Sequence, residues 1–108
     1  MNINSKKYNN GLKVVYQTSS HSNTTTINIF VKVGSIYEDS DLYGISHFIE
    51  HMVFKGTETN KSSKIISGHF DKIGAYINAY TDYDNTCYVV KCDSDYFKTS
   101  MDMLGDIL

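Results

Sequence analysis

The apolar residues of this chain recur with two periods, and each period predicts a different kind of element. Alternation with period two, bounded by turn residues, predicts strands over residues 4–8, 12–17, 24–33, 76–81 and 85–92. Spacing of three and four predicts three helices, which open at Asp41 or Gly44, at Asn60 or Ser62, and at Asp93 or Ser94. The order β-β-β-α-α-β-β-α has hairpins instead of alternating βα units. It therefore predicts an α+β fold, with a mostly antiparallel sheet and helices packed on one face.

Each predicted helix has an apolar stripe, which we expect to pack on the sheet. The stripe of the first helix consists of Ile45, Phe48, Ile49, Met52 and Val53. That of the second consists of Ile65, Ile66, Phe70 and Ile73. That of the third consists of Phe97, Met101, Leu104 and Leu108. His69 lies inside the second stripe, so we interpret it as a partly buried packing histidine and not as a metal ligand. His21 lies in a polar loop, where we expect it to be exposed and without a role.

The first helix also carries a polar cluster opposite its apolar stripe. His47, Glu50 and His51 form an H-x-x-E-H motif and fall on one side of the helix at about 100° per residue. Imidazoles at positions i and i+4 can ligate one zinc ion. Glu50 can then act as a general base toward a water that zinc activates. The motif is the inverted form of H-E-x-x-H, and the alternative interpretation is a solvated polar face that matches it by chance.

Charge and composition exclude several classes of partner. The formal charge is -2 and no basic run is present, which argues against nucleic acid as a partner. No stretch is apolar enough to span a membrane and residues 1–10 are polar, so a cytoplasmic location is the default expectation. Cys87 and Cys92 are five positions apart in a predicted strand and point to opposite faces. We therefore expect free thiols that share neither a disulfide nor a metal.

Residues 44–57, GISHFIEHMVFKGT, resemble the signature of the M16 peptidases. That family includes pitrilysin, insulin-degrading enzyme and the mitochondrial processing peptidase. Upstream, residues 31–35 and Glu38 resemble the family's strand that ends in Gly-Ser with a nearby Glu. Downstream, residues 74–81, GAYINAYT, resemble its Gly-Ala-x-x-Asn-Ala-x-Thr strand, and three further positions continue the pattern: Asp84, Thr86 and Tyr88. The resemblance implies a LuxS/MPP-like metallohydrolase half-domain.

The resemblance also implies a set of site residues. His47 and His51 would be zinc ligands, and Glu50 would be the catalytic base. Three residues of strand 76–81 would bind the backbone of a peptide substrate at a sheet edge: Asn78, Ala79 and Tyr80. The cofactor is then Zn²⁺ and the partner a peptide, with no membrane and no nucleic acid involved.

Two parts of the M16 pattern do not occur in these 108 residues. The resemblance implies a third zinc ligand, a Glu farther downstream than Leu108; Asp82 and Asp84 are the candidates for a local substitute. It also implies a second homologous half or subunit outside this chain. Residues 1–108 would then be the N-terminal part of a truncated catalytic domain, with no second domain in this chain.

The resulting hypothesis is a zinc metalloendopeptidase that hydrolyses peptides or unfolded protein segments. A non-catalytic scaffold or peptide-binding subunit is one alternative. An inactive fragment that lacks the third ligand is another.

Overall fold

The protein has the α+β architecture predicted from its sequence, and the structure, a computed structural model, describes residues 2–108. The strands and helices follow one another as β1 (Asn4–Lys7), β2 (Lys13–Tyr16), β3 (Thr24–Val31), α1 (Ile45–Met52), α2 (Ser63–Lys72), β4 (Tyr76–Thr81), β5 (Thr86–Asp93) and α3 (Phe97–Ile107). Short 3₁₀ turns at Ser35–Tyr37, Ser40–Leu42 and Ser94–Tyr96 lie between them. This order confirms the predicted one.

The main sheet has three antiparallel strands in the order β3-β5-β4. The antiparallel register places Ile27, Val90 and Ile77 side by side across it. β1 and β2 pair with each other in a separate antiparallel hairpin and do not join this sheet. Within residues 2–108, β3 and β4 are therefore the edge strands of the main sheet.

One face of the main sheet carries the hydrophobic core, and α2 and α3 cover that face. The buried core residues are Ile27, Ile66, Phe70, Tyr88, Val90, Cys92, Leu104 and Ile107. Those from β5 occupy alternate positions, so they point to the same side. This arrangement confirms that the helices pack on one face. On the opposite face, Phe30 and Tyr80 remain exposed. Val31 at the end of β3 and Val33 just after it are exposed.

The apolar stripe predicted for α3 is wrong apart from Leu104. Phe97, Met101 and Leu108 are 47%, 39% and 50% exposed. The buried residues of α3 are Ser100, Leu104 and Ile107. Both sets have helical spacing, so periodicity alone does not separate them. Ser100 is a small, fully buried residue on the packing side, and a search for large apolar residues does not detect it.

The interpretation of His69 as a packing histidine is also wrong. Its side chain is exposed, and its Nε2 atom lies 2.9 Å from Asn60 Oδ1. The buried residues of α2 are Ile66 and Phe70. Of the two predicted caps, Asn60 and Ser62, the helix has Ser62, whose side chain accepts a hydrogen bond from Ile65 N.

The two cysteines are free thiols on opposite faces of β5, as expected, and both are buried. Cys92 pairs with Thr25 and belongs to the core, whereas Cys87 pairs with Phe30 and Tyr80 on the other face. No helix among residues 2–108 has the length and apolar character needed to cross a membrane.

Candidate metal centre on α1

Helix α1 lies over β4 with its polar side toward the sheet, which contradicts the predicted orientation. Glu50 and Ser46 are its buried residues. Of the predicted packing stripe, Phe48, Ile49 and Met52 are 59%, 50% and 46% exposed. The stripe instead borders an open, mainly apolar cavity of about 400 Å³ lined by residues that include Val31, Ile45, Ile49, Val53 and Leu108.

A hydrogen bond explains why a carboxylate faces the sheet. Thr81 Oγ1, at the end of β4, donates to Glu50 Oε2 over 2.6 Å. A buried charged group is costly unless it has such a partner. Tyr88 lies close by on β5, and burial, followed by the negative charge of Glu50, raises the pKa of Tyr88. The Phe54 ring, 6.2 Å from the Tyr88 ring between centroids, adds apolar surface beside it. The carboxylate of Glu50 therefore sits at a largely apolar boundary between helix and sheet.

The N-terminus of α1 is capped by a residue of the preceding loop. The N-cap position is Gly44, whose φ of 91° lies in the left-handed region that glycine tolerates best. Having no side chain, Gly44 provides no cap, and the Glu38 carboxylate accepts hydrogen bonds from Gly44 N at 2.9 Å and Ser46 N at 2.8 Å. These bonds, Ser46 first, hold the pKa of Glu38 below its ordinary value. The sequence places Glu38 in the family pattern but does not predict this capping role.

The three residues of the H-x-x-E-H motif converge. His47 Nε2 and His51 Nε2 lie 2.9 Å apart, and the two rings meet edge to face with centroids 4.6 Å apart. One potential ligand atom from each of His47, Glu50 and His51 falls within 4.8 Å of the other two. Both imidazoles are exposed and the carboxylate is buried. The motif thus forms one group that opens to solvent on the histidine side.

The donor set fits zinc. Two imidazole nitrogens bound to one tetrahedral zinc at about 2.0–2.1 Å lie about 3.3 Å apart, a few tenths of an ångström more than the separation of His47 Nε2 and His51 Nε2. At the observed 2.9 Å one ring donates Nε2–H to the lone pair of the other. Both Nε2 atoms would be free to bind one ion when each ring carries its proton on Nδ1, and two imidazoles with a nearby carboxylate are ligand types that zinc accepts.

The predicted substrate-binding residues lie on two faces of β4. Asn78 and Tyr80 are exposed, while the alternate residues Ile77, Ala79 and Thr81 are half-buried toward the helices. The Asn78 amide stays on its own strand: Nδ2 donates to Tyr76 Oη at 3.0 Å, and Oδ1 accepts from Ala79 N at 2.9 Å. The residue of β4 that reaches the group is Thr81, for which sequence reasoning proposed no role.

The main chain of β4 is nevertheless open on one side. Asp82 N donates to Asn85 O across the turn to β5. Hydrogen-bonded and non-hydrogen-bonded pairs alternate along an antiparallel ladder. Counting back by twos from the bonded residue Asp82, the main-chain groups of Tyr80 and Asn78 bond to β5. The main-chain N–H and C=O groups of the alternate residues Ile77, Ala79 and Thr81 then point away from β5, toward the free edge. The strand therefore has the edge position that the substrate-binding prediction requires.

Asp82 and Asp84 do not join the metal group. Asp82 Oδ1 accepts from Tyr83 N at 2.7 Å, and Asp84 Oδ1 accepts from Asn85 Nδ2 at 2.8 Å, so both serve the β4–β5 turn. In the part of the chain that the structure describes, the motif residues form the one cluster of three or more His, Cys, Asp or Glu able to hold a metal.

Comparison with known sequences decides the family. The family described as Insulinase (Peptidase family M16) matches residues 13–108. The chain belongs to peptidase family M16. Its similarity to individual relatives extends over nearly all of its length.

Three relatives illustrate the match. An uncharacterized zinc protease of Rickettsia felis is 42% identical over 107 residues, which are 99% of this chain and 26% of that protein. The mitochondrial-processing peptidase subunit beta of Caenorhabditis elegans is 39% identical over 99 residues, 92% of this chain and 21% of that subunit. The crystal structure of a protease from Helicobacter pylori superposes with a TM-score of 0.91 at 27% identity, over 98% of this chain and 26% of that one. The chain thus spans about a quarter of the length of the relatives it matches.

Proposed function

We propose that this M16 chain carries two zinc ligands and the catalytic base of a zinc metalloendopeptidase. His47 and His51 bind the ion, and Glu50 acts as the base. The observation that carries the proposal is the convergence of these side chains, with the two Nε2 atoms 2.9 Å apart and the Glu50 carboxylate within the same 4.8 Å group. The names of the Rickettsia felis and Caenorhabditis elegans relatives, a zinc protease and a processing peptidase subunit, support it.

The chain's own residues divide the reaction between them. Bound zinc supplies Lewis-acid activation of the attacking water and of the peptide carbonyl. Glu50 accepts a proton from the attacking water, and the oxygen of that water bonds to the carbonyl carbon of the peptide. The same carboxylate then passes the proton to the amide nitrogen as the C–N bond breaks. Because Thr81 already bonds Oε2 of Glu50, Oε1 is the oxygen that holds the proton in transit.

A peptide substrate pairs with the free edge of β4 in this proposal. The outward N–H and C=O groups of Ala79 and its two alternate neighbours add an extended peptide by β-augmentation. The peptide carbonyl at that point replaces Asn78 Oδ1 as the acceptor for Ala79 N. The Asn78 amide is then released to bond the peptide, and Tyr80 flanks it on the exposed face. This geometry suits extended peptides and unfolded segments, which have unpaired main-chain groups.

The rest of the site lies outside these residues in our proposal. Residues 1–108 form the N-terminal part of a catalytic domain, and a Glu beyond Leu108 provides the third ligand usual at catalytic zinc. A second homologous half or subunit closes over the peptide. The relatives that this chain matches are about four times longer than it, which leaves room for both parts.

The test is cleavage of an unstructured fluorogenic peptide by the full-length gene product. We expect turnover that needs zinc, disappears with a chelator, and is abolished in Glu50→Gln, which keeps the shape of the side chain but cannot take a proton. His69→Gln is the matched control, because His69 is an exposed histidine outside the group. A protein that binds the peptide with equal affinity before and after Glu50→Gln and cleaves it in neither form would instead be the non-catalytic peptide-binding subunit.

A further inference from the structure

A threonine on β4 anchors the carboxylate that we assign as the base. Thr81 Oγ1 donates to Glu50 Oε2 over 2.6 Å. Hydrogen bonds from a hydroxyl to a carboxylate are about 2.5–2.7 Å long and about twice as strong as neutral ones. Among residues 2–108 this is the one side-chain hydrogen bond that the structure shows for Glu50. The orientation of the base therefore depends on a single donor, 31 residues away in the sequence.

Threonine suits this task better than a more flexible donor. Its β-branched side chain has few χ1 rotamers, so the hydroxyl is held in place before the bond forms. Thr81 is half-buried at the last position of β4, directly across from the buried Thr86. Tyr88 on β5 also has a hydroxyl that could donate, but among residues 2–108 the structure shows no hydrogen bond from it to Glu50.

We propose that Thr81 is a positioning residue whose hydroxyl fixes Glu50 through Oε2 and leaves Oε1 as the free oxygen for the attacking water. The inference rests on the proposed peptidase function. It adds a physical link between the two parts of the site, because the main chain of Thr81 faces the free edge of β4 while its side chain holds the base. The strand that receives the peptide thus also orients the group that activates water.

The first experiment separates kcat from KM in the full-length gene product. Thr81→Val is nearly isosteric and keeps the main chain, so peptide binding and KM should stay within about twofold. Loss of the anchor should lower kcat about tenfold, equivalent to about 1.4 kcal/mol. Thr81→Ser retains the hydroxyl and should recover most of the lost kcat. Thr86→Val is the matched control, since it removes a neighbouring hydroxyl that donates to Val33 O at 3.2 Å and should leave kcat unchanged.

The second experiment needs no turnover. In a double-mutant cycle of urea unfolding, Thr81→Val and Glu50→Ala should be strongly non-additive, each costing less in the presence of the other. Zinc affinity should stay within about twofold in Thr81→Val, because the hydroxyl is not a ligand in this scheme. Additive stabilities, or equal loss of kcat in Thr81→Val and Thr81→Ser, would overturn the inference.

The two proposals fail in different ways. If Glu50→Gln is inactive but Thr81→Val turns over at the parental rate, only the role of Thr81 is refuted. If Glu50→Gln keeps zinc-dependent activity, the proposed function is refuted and the positioning role with it.

Discussion

The rotation of α1 about its axis determines which groups face β4, and a matched pair of phenylalanine substitutions tests it. Phe48 on α1 is 59% exposed and Phe70 on α2 is 1% exposed. The sequence predicts that both pack on the sheet, whereas the structure buries only Phe70. Both lie in helices, so the gain in helix propensity on replacement by alanine is about the same, about 0.5 kcal/mol, and cancels in the comparison.

The expected magnitudes differ severalfold. Phe70→Ala removes a fully buried ring and leaves a cavity, which costs about 3–5 kcal/mol. Full burial of a phenylalanine side chain is worth about 1.5–3 kcal/mol, and less than half of Phe48 is buried. Phe48→Ala should therefore cost no more than about 1 kcal/mol before the gain in helix propensity, with no cavity term. In a domain of this size about 1 kcal/mol shifts the thermal midpoint by about 4–8 °C.

The assay is urea unfolding of residues 1–108, followed by far-ultraviolet circular dichroism. Phe70→Leu, expected to cost about 1–2 kcal/mol, provides a measurable variant if Phe70→Ala does not fold. The reasoning would be refuted if Phe48→Ala were as destabilising as Phe70→Ala. In that case α1 packs through its apolar stripe, and Glu50 does not face β4.

Three further predictions concern the cap, the ligands and the extent of the site. The pKa of Glu38 lies below the ordinary value of 4.5, so its contribution to stability is complete above pH 4.5 and is lost as the pH falls through the lowered pKa. Glu38→Gln should therefore be less stable at pH 7 and should lose less stability than the parent on acidification from about pH 5 to 3. Urea midpoints measure both effects, and parallel curves for the two proteins would contradict the prediction. His47→Ala and His51→Ala should each weaken zinc binding at least about tenfold in calorimetric titration, because one imidazole is lost from the ligand set. His69→Ala should leave zinc affinity unchanged, and an equal loss of affinity in that variant would disprove the site. Residues 1–108 alone should cleave peptide far more slowly than the full-length gene product, since two histidines leave zinc short of a third ligand. The isolated chain would be shown to be sufficient if it turned over peptide at the full-length rate, with zinc required and activity abolished in Glu50→Gln.

The sequence predicts the element order well because each element is specified by local patterns. Strand β4 has the bounds predicted for it, and Ser62 caps α2 as its position before the helix suggests. The convergence of His47 and His51 is equally local, since residues four apart on a helix are neighbours whatever the tertiary structure. Such features need no knowledge of what packs against them.

Features that depend on distant partners are not predictable in this way. Apolar periodicity places Phe48 toward the sheet, but the bond between Thr81 and Glu50 favours the opposite face of α1. Glu38 caps α1 from six and eight residues upstream, outside the three-residue spacing of a capping box. In each case a polar contact between separate segments outweighs the local preference, and a single sequence does not reveal that contact.

The open edge of β4 has a consequence for how copies of this protein behave at high concentration. A strand that can receive a peptide can also receive the same strand of another molecule, which is the usual start of edge-to-edge aggregation. The Asn78 amide, steadied by Tyr76 Oη, occupies the outward N–H of Ala79 and makes such self-pairing less favourable. Because that bond joins adjacent residues, one side-chain rotation releases it. The same amide that would give way to a peptide in the proposed function thus occupies one donor of this edge when no peptide is bound.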